Sequence, residues 1–358
     1  MERYKNREHK KVKSMKNNIL REANQNLIIA EIGVNHNGKI ETAFKLIDAA
    51  KKAGADAVKF QTFRAEKLAT QNTPKVQYQI NNTKNTESHY EMLKRLELSE
   101  LDHIKLKKYC DEKEIEFLST PYDLDAAKFL LSIGVKKFKT ASADIVDIPL
   151  HEYIAGTQVP TIISTGMANI GEIEKIVNIY KDKGNSSITL LHCTSNYPCS
   201  DKSVNMKVMS TIKKTFGVDV GYSDHTVDST AAIMAIAMGS NVIEKHLTLD
   251  NKMVGPDHKA SINPEAFGEY VIKIRKAEIM LGDARKKIQE EEVEMSKVSR
   301  KSITICKDKK KGEILVESDL VLKRPGIGLQ STFLNDVIGR KLKNSLKSDH
   351  ILSWSDLC

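Results

Sequence analysis

Two histidines stand at matching places in two successive apolar runs: His225 in GYSDHT (221–226) and His246 in VIEKHLT (242–248). A lone histidine at a strand end is ordinarily a packed side chain. Two at like ends of neighbouring strands, with Glu31 and Asp257 near them, suit a divalent metal. Imidazole nitrogen with carboxylate or water oxygen suits Mn²⁺, Fe²⁺ or Zn²⁺ better than Ca²⁺. Two imidazoles alone leave positions open for substrate and water, as Lewis-acid catalysis requires. His192 comes earlier in its run and reads as a packed residue. Two lysines, Lys59 in AVKFQ and Lys139 in FKTAS, also lie inside strand-like runs. A buried ammonium demands an anionic partner. Either Glu31 or Glu244 provides it as an internal ion pair, or the lysines join nearby hydroxyls to hold a phosphate or carboxylate ligand.

These residues need a scaffold, and a rhythm in the chain supplies one. From residue 27, short apolar runs alternate with stretches of helical spacing: LIIAEIG, DAVKFQTF, IEFLST, KKFKTAS, TIISTG, ITLLHCT, VDVGYSDH and NVIEKHLT each precede a helix-like segment. Runs this apolar suit strands buried on both faces, and intervening helices make parallel right-handed crossovers. Eight such units predict a (β/α)₈ TIM barrel, an α/β fold. An open doubly wound sheet is the alternative, disfavoured because no Gly-rich dinucleotide fingerprint is present. In a barrel the chemistry sits at the C-terminal strand ends. Those ends carry Glu31, Lys59 and Gln61, then Thr120, Lys139, Ser142, Asp144 and Ser164. Ser195, Tyr197, Ser223, His225, Glu244 and His246 follow, with Asp257 in the loop after the last strand. The segment after DAVKFQTF reads as a polar insertion. Beyond Leu281 the pattern breaks into a charged, partly helical linker and short β-like pieces. The expected domains are a basic extension (1–24), a barrel (25–283), a linker (284–296) and a small mostly-β domain (297–358).

Composition limits the alternatives. The chain has 358 residues, 40% of them hydrophobic, enough for a large core. No run of eighteen apolar residues exists, so no membrane span is expected. The first residues lack the apolar core of a secretory signal. Five scattered cysteines without CxxC spacing point to a reducing cytoplasm. The formal charge is +9, yet residues 1–24 hold eight Lys/Arg against three Glu, more than half of the excess. That tail reads as a disordered extension rather than a nucleic-acid or membrane contact. A nucleic-acid-binding protein would instead show salt-dependent binding that disappears with residues 1–24.

The motifs AEIGVNHNG (30–38), VKFQTF (58–63), LSTPYD (118–123), STGM (164–167), LLHCTSNYP (190–198), GYSDHT, EKHLTLD (244–250) and GPDHKAS (255–261) resemble the sialic acid synthase family. KSITICKDKKKGEILVESDLVLKRPGIG is similar to the antifreeze-like (SAF) domain of the same enzymes. The resemblance implies condensation of phosphoenolpyruvate with an open-chain N-acyl-hexosamine, giving a nine-carbon sialic-type acid and phosphate. It implies phosphoenolpyruvate-binding roles for Lys59, Thr120, Lys139, Ser142, Ser164, Ser195 and Ser223. Catalytic roles fall to Glu31, His225 and His246, the two histidines holding the metal, with Mn²⁺ expected and Mg²⁺ or Co²⁺ as alternatives. Gln61, Asp144, Tyr197 and Asp257 match sugar-binding positions. Arg324, in KRPG, matches an arginine that reaches the partner's site in a homodimer with swapped C-terminal domains.

Two departures bear on the sugar. ASAD (141–144) stands where many relatives have GSGE, so Asp144 is one methylene shorter than the usual Glu. Ser195 stands where some members have Asn. The motifs look closer to the legionaminic branch, whose acceptor is a 2,4-diacetamido-2,4,6-trideoxyhexose. N-acetylmannosamine and a pseudaminic-type acceptor are the alternatives. A barrel that condenses phosphoenolpyruvate with a sugar phosphate would want further basic residues, where this sequence offers Gln61, Tyr197, Asp144 and Asp257.

Overall fold

The computed structural model describes residues 25–76, 79–80, 82 and 87–358; the expected extension at 1–24 lies outside the described residues. The chain forms two compact units, dividing between Gly282 and Asp283.

The first unit is built on eight parallel strands: β1 (Leu27–Gly33), β2 (Ala57–Thr62), β3 (Glu116–Pro121), β4 (Phe138–Thr140), β5 (Thr161–Ser164), β6 (Ile188–His192), β7 (Asp219–Asp224) and β8 (Val242–His246). They are hydrogen-bonded in the order β3-β2-β1-β8-β7-β6-β5-β4, and β3 packs beside β4 to close the barrel. The expected eight-unit TIM-barrel-like fold is therefore the one observed.

Strand side chains alternate between faces, and this period of two explains the site. Leu27, Ile29, Ala57, Leu118, Ile162, Leu191 and Val242 form one buried cluster, the barrel interior. Ile28, Ala30, Ile32, Val58 and Phe60 belong to another, between the strands and their helices. On five of these strands, two residues beyond the interior apolar group and on the same face, the sequence turns polar. Ile29 is followed by Glu31, Ala57 by Lys59, Leu118 by Thr120, Ile162 by Ser164, and Val242 by Glu244 and then His246. The apolar floor and the polar mouth are thus successive layers of one stripe.

Among its described residues, the insertion between β2 and β3 includes the helices Ala65–Leu68 and His89–Leu96. Ser88 and Glu91 form a capping box at the start of the second. Val34, Phe63, Ala65, Met92, Leu93 and Leu96 make a separate small core there. The sequence reading took this insertion as polar. Its helix buries Met92, Leu93 and Leu96 on one face while Lys94 and Arg95 point outward.

The second unit opens with a 3₁₀ turn (Glu290–Glu292) and a helix (Val293–Ser299). β9 (Ser302–Ile305) and β10 (Leu320–Lys323) then pair antiparallel. Its core gathers Ile303, Ile305, Leu315, Leu329, Val337, Leu342, Leu352 and Leu357. Among the described residues no helix is long and apolar enough to cross a membrane.

Candidate active site

A cavity of about 430 Å³ opens at the C-terminal ends of the barrel strands. Its charged centre is a buried quartet. Lys59 Nζ lies 2.7 Å from Glu31 Oε2 and 3.8 Å from Glu244 Oε2, and donates to Thr120 Oγ1 at 3.2 Å. Lys139 Nζ lies 3.7 Å from Glu244 Oε1, and donates to Ser164 Oγ at 2.5 Å and to the Thr140 carbonyl at 2.9 Å. Ser223 Oγ donates to Glu244 Oε1 at 2.8 Å. The lysines are therefore ion-paired with Glu31 and Glu244, and the pairs sit at the mouth among hydroxyls.

The electrostatics follow from burial against pairing. Burial raises the Glu31 carboxyl to about 7, opposed by Lys59 and reinforced by the like charge of Glu244. Burial works on Glu244 in the same direction, but Lys139, Lys59 and the Ser223 hydroxyl outweigh it and hold Glu244 low. Lys139 is lowered, chiefly by burial. Lys59 is raised, because its two glutamates overcome the burial cost.

On the next strands Ser142 Oγ accepts from the Gly166 N–H at 3.0 Å and lies 3.2 Å from Cys193 Sγ. Ser142, Ser164, Ser195 and Ser223 all line the cavity. Gly166 is what lets them converge. A Cβ there would fall 2.5 Å from Ser195 Oγ and 2.8 Å from Ser142 Oγ.

His225 and His246 face one another with ring centroids 5.7 Å apart, and the Tyr197 ring lies 4.2 Å from His225 and 5.5 Å from His246. Burial lowers both imidazoles, His246 to about 3, so both are neutral at physiological pH. The His225 Nδ1–H donates to the Thr194 carbonyl at 2.7 Å, which leaves the Nε2 lone pair beside the Ser223 hydroxyl at 3.4 Å. His246 Nδ1 is buried with no hydrogen-bond partner. Two neutral imidazoles with unclaimed nitrogens fit a divalent cation. Among the described residues no group of three His, Cys, Asp or Glu is arranged to hold a metal ion. His192 is packed as expected, its Nε2 2.7 Å from the Val204 carbonyl.

The outward-facing neighbours brace this arrangement. Asp224 and Lys245 point into the helix layer and pair at 3.2 Å. Tyr270 OH donates to Asp224 Oδ2 at 2.8 Å, and Thr226 N and Oγ1 both donate to Asp224 Oδ1. The loop after β8 is tied to the loop after β1. Asn35 Nδ2 donates to the Leu247 carbonyl and Ser261 Oγ, each at 2.8 Å, and His258 Nε2 lies 3.2 Å from Asn37 Oδ1. Asp257 reaches the cavity from this loop.

Gln61 and Tyr197 also line the cavity, whereas Thr120 lies behind Lys59. At the end of β4 the wall is formed by Ser142 and Ala143. Asp144 sits in the 3₁₀ turn Ser142–Val146, its carboxyl raised to about 7 by burial and by Asp147. Arg324 belongs to the C-terminal unit, where it is exposed after β10. The sequence reading did not single out Gly166, Cys193 or the apolar cavity wall, and it placed Glu244 at a strand end and as a partner for the lysines without giving it a site role. The period-two spacing from Glu244 to His246 was the available signal for that carboxylate.

The candidate active site thus joins a buried quartet of charges, a serine cradle and paired neutral imidazoles at the barrel mouth. Residues 46–286 match the NeuB family model and residues 300–357 the SAF domain model, and the chain belongs to the NeuB family. It is 42% identical over 334 residues to the N,N'-diacetyllegionaminic acid synthase of Legionella pneumophila, covering 92% of this chain and 94% of that protein. Identity to the pseudaminic acid synthase of Campylobacter jejuni is lower, 35% over 330 residues, covering 92% and 96% of the two chains. The crystal structure of the N-acetylneuraminic acid synthetase from Leptospira borgpetersenii superposes with a TM-score of 0.67 at 33% identity, covering 76% of this chain and 90% of that one. The chain is thus a synthase of this family.

Proposed function

We propose that this synthase condenses phosphoenolpyruvate with the open-chain aldehyde of a 2,4-diacetamido-2,4,6-trideoxymannose-type acceptor, releasing phosphate and a nine-carbon legionaminic-type acid. The observation that carries the reading is the convergence of Lys59, Lys139 and four serine hydroxyls beside the Glu31–Glu244 carboxylates. The higher identity to the legionaminic than to the pseudaminic synthase supports this acceptor.

Lys59 and Lys139 offer charge, and Ser142, Ser164, Ser195 and Ser223 offer O–H donors, to the phosphate and carboxylate of phosphoenolpyruvate. Binding exchanges part of the ion pairing to Glu244 for pairing to the ligand. The enol methylene carbon then bonds to the acceptor's aldehyde carbon. The aldehyde oxygen takes up a proton to become a hydroxyl, water adds to the cationic C2, and phosphate leaves with its bridging oxygen as the added hydroxyl loses its proton and C2 becomes the ketone. Glu31, raised towards neutrality, is placed to orient that water and take its proton. A divalent cation, Mn²⁺ in this reading, would be held by His225 and His246 and would supply Lewis-acid polarisation of the aldehyde oxygen. Gln61, Tyr197 and Asp257, which line the cavity, are assigned to the sugar; Asp144 lies outside the lining and is not. Arg324 is assigned to the site of a second copy in a swapped homodimer, and five unpaired cysteines accord with a cytoplasmic location.

The test is phosphate release from phosphoenolpyruvate and Mn²⁺ with three acceptors: N-acetylmannosamine, the 2,4-diacetamido-trideoxymannose and its altrose isomer. The trideoxymannose is expected to be the best substrate. Release with none of the three would sink the proposal.

A further inference from the structure

The cavity has two unlike halves. Its serines come from the ends of β4 to β7, as does the charge of Lys139. Across the barrel, over β1 to β3, the wall is Val34, Leu68, Ala69, Met92, Leu93 and Leu96. These belong to the small core of the insertion, whose apolar face opens onto the cavity. Hydroxyl-rich ligands gain little from such a wall, because each hydroxyl placed against it loses water without a new partner. Polar groups interrupt it at Thr73, Gln79 and His89. His89, the first residue of the helix His89–Leu96, lines the cavity, and its Nδ1 is buried with no hydrogen-bond partner.

We infer that this flank reads the end of the acceptor remote from its aldehyde: the His89 imidazole pairs with the second N-acyl amide, while Leu68, Ala69 and Leu93 cover the acyl methyl and the 6-deoxy carbon. The inference rests on the reaction proposed above and adds the residues that choose the acceptor. An amide has both a donor and an acceptor, so it satisfies His89 Nδ1 in either tautomer once the ring turns this enclosed nitrogen towards the cavity. With phosphoenolpyruvate held between the serines of β4 to β7 and Lys59 of β2, and the aldehyde beside His225 and His246, the remaining carbons of an open-chain hexose extend towards the apolar flank above β1 to β3. A hydroxyl at C4 and C6 would leave His89 incompletely matched and would face leucine side chains.

The experiment measures kcat/KM by phosphate release for wild type, His89→Ala and Leu68→Asn. The acceptors are the 2,4-diacetamido-trideoxymannose, N-acetylmannosamine and 2-acetamido-2,6-dideoxymannose. For wild type, removing the C6 hydroxyl alone raises kcat/KM by about tenfold, the lower range for hydrophobic discrimination. For His89→Ala the preference for the diacetamido acceptor over N-acetylmannosamine falls by about tenfold or more, and Leu68→Asn erases the preference for the deoxy sugars. His89 begins its helix and Leu68 is half-buried, so both variants are chosen to fold, and the wild-type series stands without them. Phosphate release with unchanged preferences in both variants overturns this inference and leaves the reaction standing. A wild-type preference for the 6-hydroxy sugar also overturns it. Release with no acceptor overturns the reaction and this inference together.

Discussion

Replacing Gly166 with alanine adds one methyl group to the serine cradle and nothing else. The Gly166 backbone lies outside the left-handed region, so alanine adopts it without strain. The new Cβ would stand 2.5 Å from Ser195 Oγ, 2.8 Å from Ser142 Oγ and 3.1 Å from Cys193 Sγ. Ordinary contacts begin near about 3.5 Å, so each hydroxyl must withdraw by about 1 Å. Ser142 also accepts the Gly166 N–H, and withdrawal weakens that bond. A displacement of about 1 Å in a positioned group costs about a hundredfold in rate, whereas overpacking costs stability only about 1–3 kcal/mol. We therefore expect kcat/KM for phosphoenolpyruvate to fall about a hundredfold in a protein that still folds. Steady-state phosphate release at saturating acceptor reads the first quantity and urea unfolding the second. Gly156→Ala is the control, since a Cβ there meets nothing within 4 Å. A Gly166→Ala enzyme within twofold of wild type would refute the role given to the cradle.

Three further outcomes are expected. Glu31, raised to about 7, is protonated below that pH and ionised above it; if it accepts the water's proton, kcat/KM rises with pH through neutrality, and Glu31→Gln abolishes that rise in a pH–rate profile. Lys245→Met leaves the buried Asp224 carboxylate without its cation and should cost about 3–5 kcal/mol in urea unfolding, with Lys245→Met/Asp224→Asn recovering part of it. His246→Ala removes one of two cation-binding imidazoles, so Mn²⁺ binding measured by titration calorimetry should weaken by at least tenfold, within the range for disturbed metal sites; unchanged affinity would remove His246 from the metal's ligands.

Much of this was legible in one sequence. Apolar runs recurring eight times specify a barrel, and the period of two specifies which residues share its interior. Glu31, Lys59 and Glu244 could be placed at the mouth because each stands two residues beyond an apolar interior residue, and His246 because it stands two beyond Glu244. Asp144 follows a strand that ends at Thr140, where alternation no longer governs direction, and its turn leaves the wall to Ser142 and Ala143. The apolar flank was hidden for a different reason. Leu68 and the helix from His89 to Leu96 are separated by a polar stretch, and only tertiary packing brings them to one wall. The Gly166 constraint was equally silent, because it depends on hydroxyls from two other strands.

The stripe on β8 has a consequence for how this protein can change. Glu244 and His246 face the cavity while Lys245, between them, is paired in the helix layer. A shift of this strand by one residue would put an ammonium among the imidazole and serine groups and bury an imidazole and a carboxylate against Tyr270. No partly working intermediate lies between the two registers. Single-residue insertions and deletions within β7 and β8 should therefore be lethal to both folding and turnover, whereas the insertion between β2 and β3 can lengthen, shorten and exchange side chains without moving the reacting centre. The barrel thus separates a part that sequence drift cannot touch from a part in which new acceptor preferences can arise.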